Sequence, residues 1–208
     1  MITADLIKKV VPKGNNLILI GIENALNILG PQYGLTTPVR LNAFLAQAAH
    51  ETDGFKTLRE YGADSYFKKY EKGTALGADL GNTQPGDGLK FKGRGIFQTT
   101  GRYNYSKVSR AMFGDDRLLT NPQLLEQPFN AVLSALIYWT NKKLNPIADR
   151  DTTASFTTVT KAINGGTNGL ADRQKYWAAF KTLGDYVKKN SNILKTLYNR
   201  WLFNASIR

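Results

Sequence analysis

The chain has one histidine and no cysteine, and the histidine lies in Ala49-His50-Glu51-Thr52. A zinc-protease helix needs a second histidine three residues after the glutamate, so that two imidazoles on one face share the metal. That position is Gly54. With no second imidazole and no thiolate, a zinc site of the usual ligand types is excluded. A Ser-His-Asp triad would have to use the same His50, and no serine is marked as standing at a strand-to-helix elbow.

Carboxylates are left. Glu51 follows an apolar helical stretch, where desolvation favours the neutral acid. It also falls at a helix C-terminus, whose partial negative charge disfavours a second one. Both effects raise its pKa, as a general acid at neutral pH requires. On these grounds alone a surface acid at a frayed helix end is the simpler account. Acid catalysis of glycoside cleavage also needs an ionised partner that activates water or attacks carbon. Glu60, nine positions on (60 − 51), has Arg59 beside it to keep it charged. Glu71, in Lys69-Tyr70-Glu71-Lys72, is the alternative, and either is otherwise an ordinary solvated acid.

Phe91-Lys92-Gly93-Arg94-Gly95-Ile96-Phe97-Gln98-Thr99-Thr100-Gly101 is rich in glycine but carries Gln98 where a dinucleotide fingerprint needs its third glycine. The glycines instead let backbone approach a bulky ligand. Gln98 and Thr100 are then placed to hold hydroxyls or orient a water. Tyr103-Asn104-Tyr105 offers aromatic faces and an amide, suited equally to sugar rings or to helix packing. Ala162-Ile163-Asn164-Gly165-Gly166 reads as a helix end with a glycine cap, and Asp172-Arg173 as an ordinary first helical turn.

The elements that must position these groups are mostly helical. Residues 4–11 form a short amphipathic segment ended by Pro12-Lys13-Gly14. Residues 16–29 place Leu17, Ile18, Ile22, Leu26 and Leu29 near helical spacing before Gly30-Pro31. Thr37 caps the next helix and Pro38 suits its first position. Leu41, Phe44, Leu45 and Ala48 form its inward stripe, and Ala43, Ala46, Ala48 and Ala49 allow close packing. Residues 55–99 are expected as loops or a short hairpin, a possible small lobe, with a turn at Gln84-Pro85-Gly86-Asp87-Gly88. Residues 129–139 are apolar on nearly every face and read as a buried central helix. Further helices are expected over 152–163, over 170–188 with Tyr176, Trp177, Phe180, Leu183 and Val187 inward, and over 193–203.

At 208 residues and 42% hydrophobic, the composition is that of one folded domain. No apolar run approaches the roughly 18–20 residues of a membrane span, and Met1 to Asp5 do not begin a signal peptide. A net charge of +12 draws polyanions: nucleic acid, anionic lipid or cell wall. The 28 Lys and Arg are spread along the chain with no recognition motif, so nucleic acid is not an expected partner. Residues 188–208 carry five basic and no acidic side chains together with Trp201, Leu202 and Phe203. They read as a core-packing helix or as a contact with an outer membrane.

Phe44-Leu45-Ala46-Gln47 before His50-Glu51-Thr52, then Gly93-Arg94-Gly95-Ile96-Phe97-Gln98 with Tyr103-Asn104-Tyr105, then Ile163-Asn164-Gly165-Gly166 and Ala171-Asp172-Arg173 resemble, in this order, glycoside hydrolase family 19. That family includes plant-type chitinases and many phage endolysins. The resemblance implies a mainly α, lysozyme-like fold with a large helical lobe, and inverting chemistry without cofactor or metal. It implies Glu51 as general acid and Thr100, in place of a common serine, as a water-positioning hydroxyl. Gln98, Asn104, Asn164 and Arg173 stand where the family orients substrate and water, with His50 and Tyr103 beside them at the substrate. Glu60 fits the endolysin-like position of the base, while Glu71 is closer to the chitinase spacing (71 − 51 = 20). The segment from Leu80 to Gly88 resembles phage members, and no cysteine-rich chitin-binding module is present.

The implied protein is a peptidoglycan-degrading endolysin that cuts β-1,4 bonds. It would be a monomer with one catalytic domain over 1–208 and no separate wall-binding domain. Its partners would be glycan strands and the anionic bacterial envelope, without stable membrane insertion. It would be made in the host cytoplasm and released to the wall through a holin. A chitinase of the same family and a non-catalytic wall-binding protein are the alternatives.

Overall fold

The computed structural model describes residues 2–184, and among these the chain is a succession of helices with no strand longer than an isolated bridge. Helix α1 (Ala4–Val10) begins at Thr3, whose hydroxyl accepts the Leu6 N–H. Helix α2 (Asn16–Leu29) is capped by the Asn15 carbonyl oxygen, which accepts from Leu17 and Ile18. Its buried face is Leu19, Ile22, Ala25, Leu26 and Leu29. Leu17, expected on that face, is 79% exposed. It lies five residues before Ile22, about 140° away around the helix, and Leu19 takes its place.

Helix α3 (Pro38–Glu51) carries the expected cap: Thr37 Oγ1 accepts the Arg40 N–H at 3.3 Å. Every residue from Ala43 to Ala49 is buried, including the polar Gln47. The four alanines let neighbours approach this helix from all sides. It stops firmly. The Thr52 hydroxyl donates to Ala48 O (2.7 Å) and accepts the Phe55 N–H (3.0 Å), and the Gly54 N–H, in the left-handed region, returns to Ala49 O at 2.7 Å. Glu51 is therefore the last residue of a rigid, buried rod.

The polar stretch that follows forms a 3₁₀ helix (Asp64–Tyr70) and two short helices, α4 (Ala75–Asp79) and α5 (Asp87–Lys90). Of the loops or short hairpin expected over 55–99, loops and helical turns dominate. The hairpin is reduced to two antiparallel bridges, Arg59 to Arg94 and Arg94 to Thr99. Positive φ at Gly95 and Gln98 turns the chain before a ladder can grow. The bridges still fix a register: the Glu60 N–H donates to Gly93 O (2.8 Å), the Gly95 N–H to Leu58 O (2.9 Å), and Arg94 and Thr99 exchange both bonds.

Buried Asp87 ties this region to the next helix. It accepts two bonds from Arg102 (2.8 and 2.6 Å) and the N–H groups of Thr83 and Gln84. Burial pushes its carboxyl up, but the Arg102 guanidinium and the two backbone donors outweigh burial and hold it below the usual carboxylate range.

Helices α6 (Arg102–Phe113) and α7 (Arg117–Thr120) and a 3₁₀ turn (Pro122–Glu126) lead into α8 (Pro128–Asn141). Helices α9 (Leu144–Ala148), α10 (Thr153–Asn164) and α11, spanning 170–184 of the described residues, complete it. As expected, α8 is central. It packs on α2 and buries Val132, Ala135, Leu136 and Trp139. Phe129 is the exception at 43% exposed: in that first turn it is Pro128 that packs on α2, against Gly21.

Two hydrophobic clusters result. The large one joins α1, α2, α3, α8, α10 and Phe180. The small one is Phe91 with Tyr105, Leu118 and Leu125, so it draws mainly on residues beyond the 55–99 segment expected for a small lobe. Residues 185–208, with Val187, the expected helix over 193–203 and its membrane-contact reading, lie outside the described residues. No helix among the described residues is long and apolar enough to cross a membrane.

Trp139 is fully buried, edge-on to Phe44 at 5.4 Å, and its indole N–H donates to Asn145 Oδ1 at 2.8 Å. Trp139→Ala should destabilise the protein by about 3–5 kcal/mol, read from urea unfolding. A loss below about 1 kcal/mol would show that the core does not depend on this contact.

Candidate active site

Glu51 ends α3 with its side chain 19% exposed, and its Oε1 accepts Arg173 Nη2 at 2.5 Å. Arg173 comes from the first turns of α11 and is only 2% exposed. Its other nitrogens are also used: Nη1 donates to Gln47 Oε1 (2.7 Å) and Nε to Asn168 O (3.3 Å). Gln47 stands one helical turn before Glu51 and donates in turn to Thr160 Oγ1 at 2.8 Å. The guanidinium fork thus ties α3 to the 165–169 loop, and Gln47 carries the link on to α10. Glu51 Oε2 has no hydrogen-bond partner among the described residues.

His50 turns the other way. Its Nδ1 lies 2.7 Å from Asp172 Oδ2, and its ring lies against Gly169. A Cβ there would come within 2.3 Å of His50 Nε2 at a φ of +69°, so a side chain at 169 would be strained and would displace the His50 ring. Residues 50 and 51 on α3 therefore meet residues 172 and 173 on α11 pairwise. Asn164, at the end of α10, donates to Asn168 O at 3.2 Å and completes this wall.

Glu60, one of the two candidates for the second carboxylate, comes from the bridged loop. Glu60 Oε1 accepts the Tyr70 hydroxyl at 2.9 Å, and Oε2 accepts the Gly93 N–H at 3.1 Å. Gly93 makes this fit possible, since a Cβ would come 2.6 Å from Gln98 Oε1 and 3.2 Å from Glu60 Oε2. Gln98 itself has φ of +48°, an uncommon conformation for a side-chain-bearing residue, and donates to Gly95 O at 2.9 Å. The Thr100 hydroxyl donates to Gln98 O (2.9 Å) and Asn104 Nδ2 to Thr100 O (2.8 Å). Tyr103 is 62% exposed, with its Cβ against Gly81.

The loop that holds Glu60 also reaches the Glu51 wall. Phe97 packs edge-on against Phe44 of α3 (5.8 Å) and Tyr138 of α8 (5.7 Å). The Tyr138 hydroxyl donates to Ala162 O at 2.8 Å, and burial, then the Glu51 charge, push its pKa up. Residues 93–100 thus meet Glu60 through Gly93 and reach α3 and α8 through Phe97.

Glu71 is elsewhere. Its Oε1 accepts the N–H groups of Gly86 (2.7 Å) and Lys72 (3.2 Å), which fastens the turn before α5. Of the two candidates for the second carboxylate, only Glu60 meets the Gly93–Thr100 loop through its side chain. Arg173, expected among the substrate- and water-orienting residues, has its buried guanidinium on Glu51, Gln47 and Asn168 O. Gln47, Thr160, Tyr70 and Tyr138 carried no role in the sequence reading. Only Gln47 left a signal, a polar residue inside an otherwise apolar buried run.

Arg173→Met should lower stability by about 3 kcal/mol, because it strips the partner from a half-enclosed carboxylate and a buried amide. Thermal and urea unfolding would read this. A variant as stable as the parent would mean the pair contributes nothing to the fold.

Residues 35–176 match the family model for class I chitinases, glycoside hydrolase family 19. A glycosyl hydrolase family 19 domain-containing protein of Haemophilus influenzae is 32% identical over 184 residues, covering 76% of this chain and 87% of that protein. Among solved structures, chitinase C from Streptomyces griseus superposes with a TM-score of 0.67 at 24% identity, covering 87% of this chain and 75% of that one. A bacterial family 19 chitinase gives 0.62 at 21% identity, covering 88% and 94%. Helical architecture, matched span and related sequence agree: the chain belongs to glycoside hydrolase family 19.

Proposed function

We propose that this glycosidase is a peptidoglycan-cleaving endolysin that hydrolyses β-1,4 bonds with inversion, using Glu51 as general acid and Glu60 as general base. The observation that carries the residue assignment is the division of labour between the carboxylates. Glu51 is clamped on one oxygen by Arg173. Glu60 borders the Gly93–Thr100 loop, whereas Glu71 is occupied by backbone donors of its own turn.

With Arg173 on Oε1, Oε2 of Glu51 is the oxygen that gives its proton to the departing glycosidic oxygen. The carboxylate left behind is met by the guanidinium, which stabilises the charge that develops. On the opposite face of the sugar a water attacks the anomeric carbon, the bond to the leaving oxygen breaks, and Glu60 takes the water's proton. Inversion needs room for that water, about 6.5–9.5 Å between carboxyls. In this reading the Thr100 hydroxyl and the Gln98 amide orient that water, and Asn104, Tyr103, Asn164 and His50 are the candidates to hold the sugars. Solvent then returns the proton from Glu60 to Glu51.

The substrate reading is supported by charge. At +12 the chain suits an anionic wall polymer better than neutral chitin. Synthesis in a host cytoplasm, release through a holin and action as a monomer are part of the same proposal. A chitinase is the second reading, favoured by the two solved neighbours, both of them chitinases.

Glu51→Gln and Glu60→Gln should each lose on the order of 10²–10⁴ in kcat, and Glu71→Gln should stay within about threefold. Turbidity loss of permeabilised Gram-negative cells and new reducing ends from purified sacculi measure this. A fully active Glu51→Gln variant would remove the acid assignment. Products should appear first as the α-anomer by NMR. Release from chitin oligomers but not from sacculi would replace the endolysin reading by the chitinase one.

A further inference from the structure

Glu60 stands on a loop between Arg59 and Tyr61, with no helix to fix its direction. A base so placed must be held by its partners, because small displacements of a reacting group cost large factors in rate. It has two: the Gly93 N–H on Oε2 and the Tyr70 hydroxyl on Oε1. We infer that Tyr70 is a positioning residue for the reaction, its hydroxyl fixing the Glu60 rotamer and favouring the ionised carboxylate that must accept the water's proton. This rests on Glu60 being the base.

The Tyr70 hydroxyl can only serve if it stays a donor. Burial, and next the hydrogen bond to Glu60, push its pKa up to about 12, so it keeps its proton throughout neutral and acidic pH. The ring is held from several sides. Phe67 and Tyr66 pack against it at 6.3 and 6.4 Å, and the Lys69 ammonium lies 4.7 Å from its centroid and 3.5 Å from that of Tyr66. Its backbone is fixed as well. Buried Asn82 donates to Tyr70 O at 2.7 Å and accepts the Arg102 N–H at 2.7 Å, the first residue of α6. Glu71, the next residue, is fastened to Gly86. A continuous polar strut therefore runs from Glu60 through Tyr70 and Asn82 to the helix that carries Tyr103 and Asn104. The segment around Leu80-Gly81-Asn82 gains a purpose from this: it sets the distance between the base and that helix.

Tyr70→Phe removes one oxygen and keeps the ring. In the full-length enzyme on purified sacculi, kcat should fall about tenfold or more, with KM within about twofold of the parent. The acid limb of the pH–rate profile reports ionisation of the base. Without a donor to the charged form of the base, the variant should fail first at low pH, with this limb displaced to higher pH. Unfolding measured in parallel separates a structural effect. A lowered melting temperature with an unmoved acid limb and unchanged kcat would overturn the inference, as would a variant identical to the parent. Glu60→Gln distinguishes the two levels. If Glu60→Gln is inactive and Tyr70→Phe is normal, only the positioning role falls. If Glu60→Gln is fully active, the base assignment falls and the positioning role with it.

Discussion

The half-buried pair of Glu51 and Arg173 is the constraint around which the rest is arranged. A guanidinium that is only 2% exposed cannot be left unpaired. Its donors demand Glu51, Gln47 and the carbonyl of Asn168. Meeting them brings the C-terminal end of α3, the end of α10 and the start of α11 to one point. The alanine-rich build of α3 and its hard stop at Thr52 follow from that demand, since a fraying helix would let the carboxylate drift from the fork. The adjacent His50–Asp172 contact repeats the α3–α11 junction one residue earlier and adds a second fixed point.

The opposite wall is held by different means. It has few apolar residues, so it relies on hydrogen bonds with partners buried or half-buried. Arg94 is its pivot: its backbone forms both bridges, while its side chain donates to Glu126, Lys90 O and the Tyr105 hydroxyl. Gly93 and Gly95, on either side, let the chain pass close to Glu60 and Ser134. The buried Asp87–Arg102 pair then docks the loop segment on α6. One wall is a packed rod and the other a hydrogen-bonded mesh, and the Phe97 side chain, against Phe44 and Tyr138, joins them.

What the sequence revealed follows the range of the forces involved. Helix starts and stops are local, and Thr37-Pro38, Thr152 and the Gly165 cap were legible because a few neighbouring residues decide them. Periodicity located α2 and α8 but misplaced Leu17 and Phe129, since first-turn residues face whatever the tertiary structure puts there. The order of motifs led to Glu51 through resemblance; residue physics alone favoured a surface acid. Arg173 and Gln47, 122 and 126 residues from their partners in the case of Arg173, could not be assigned by spacing. The choice between Glu60 and Glu71 was likewise hidden, because both are acids with basic neighbours. It turns on which backbone amides fold over each: the Gly93 N–H brings one into the cleft loop, and the Gly86 N–H fastens the other in a turn.

The difference between the two walls also bears on how an inverting site works. The acid must meet one oxygen of a bond whose position is set by the bound glycan, so rigidity at Glu51 is an advantage. The base must address a water that enters and leaves with each turnover, and it must keep a full carboxylate of clearance from the acid. A loop residue can satisfy this if its direction is fixed without filling the space in front of it. Tyr70 and Gly93 hold Glu60 through a hydroxyl and a main-chain amide, two small uncharged donors. A lysine or arginine partner would hold the carboxylate more strongly but would lower its basicity and crowd the water. In the proposed mechanism the rod fixes where the acid's free oxygen meets the glycan, and the mesh fixes the direction of the base.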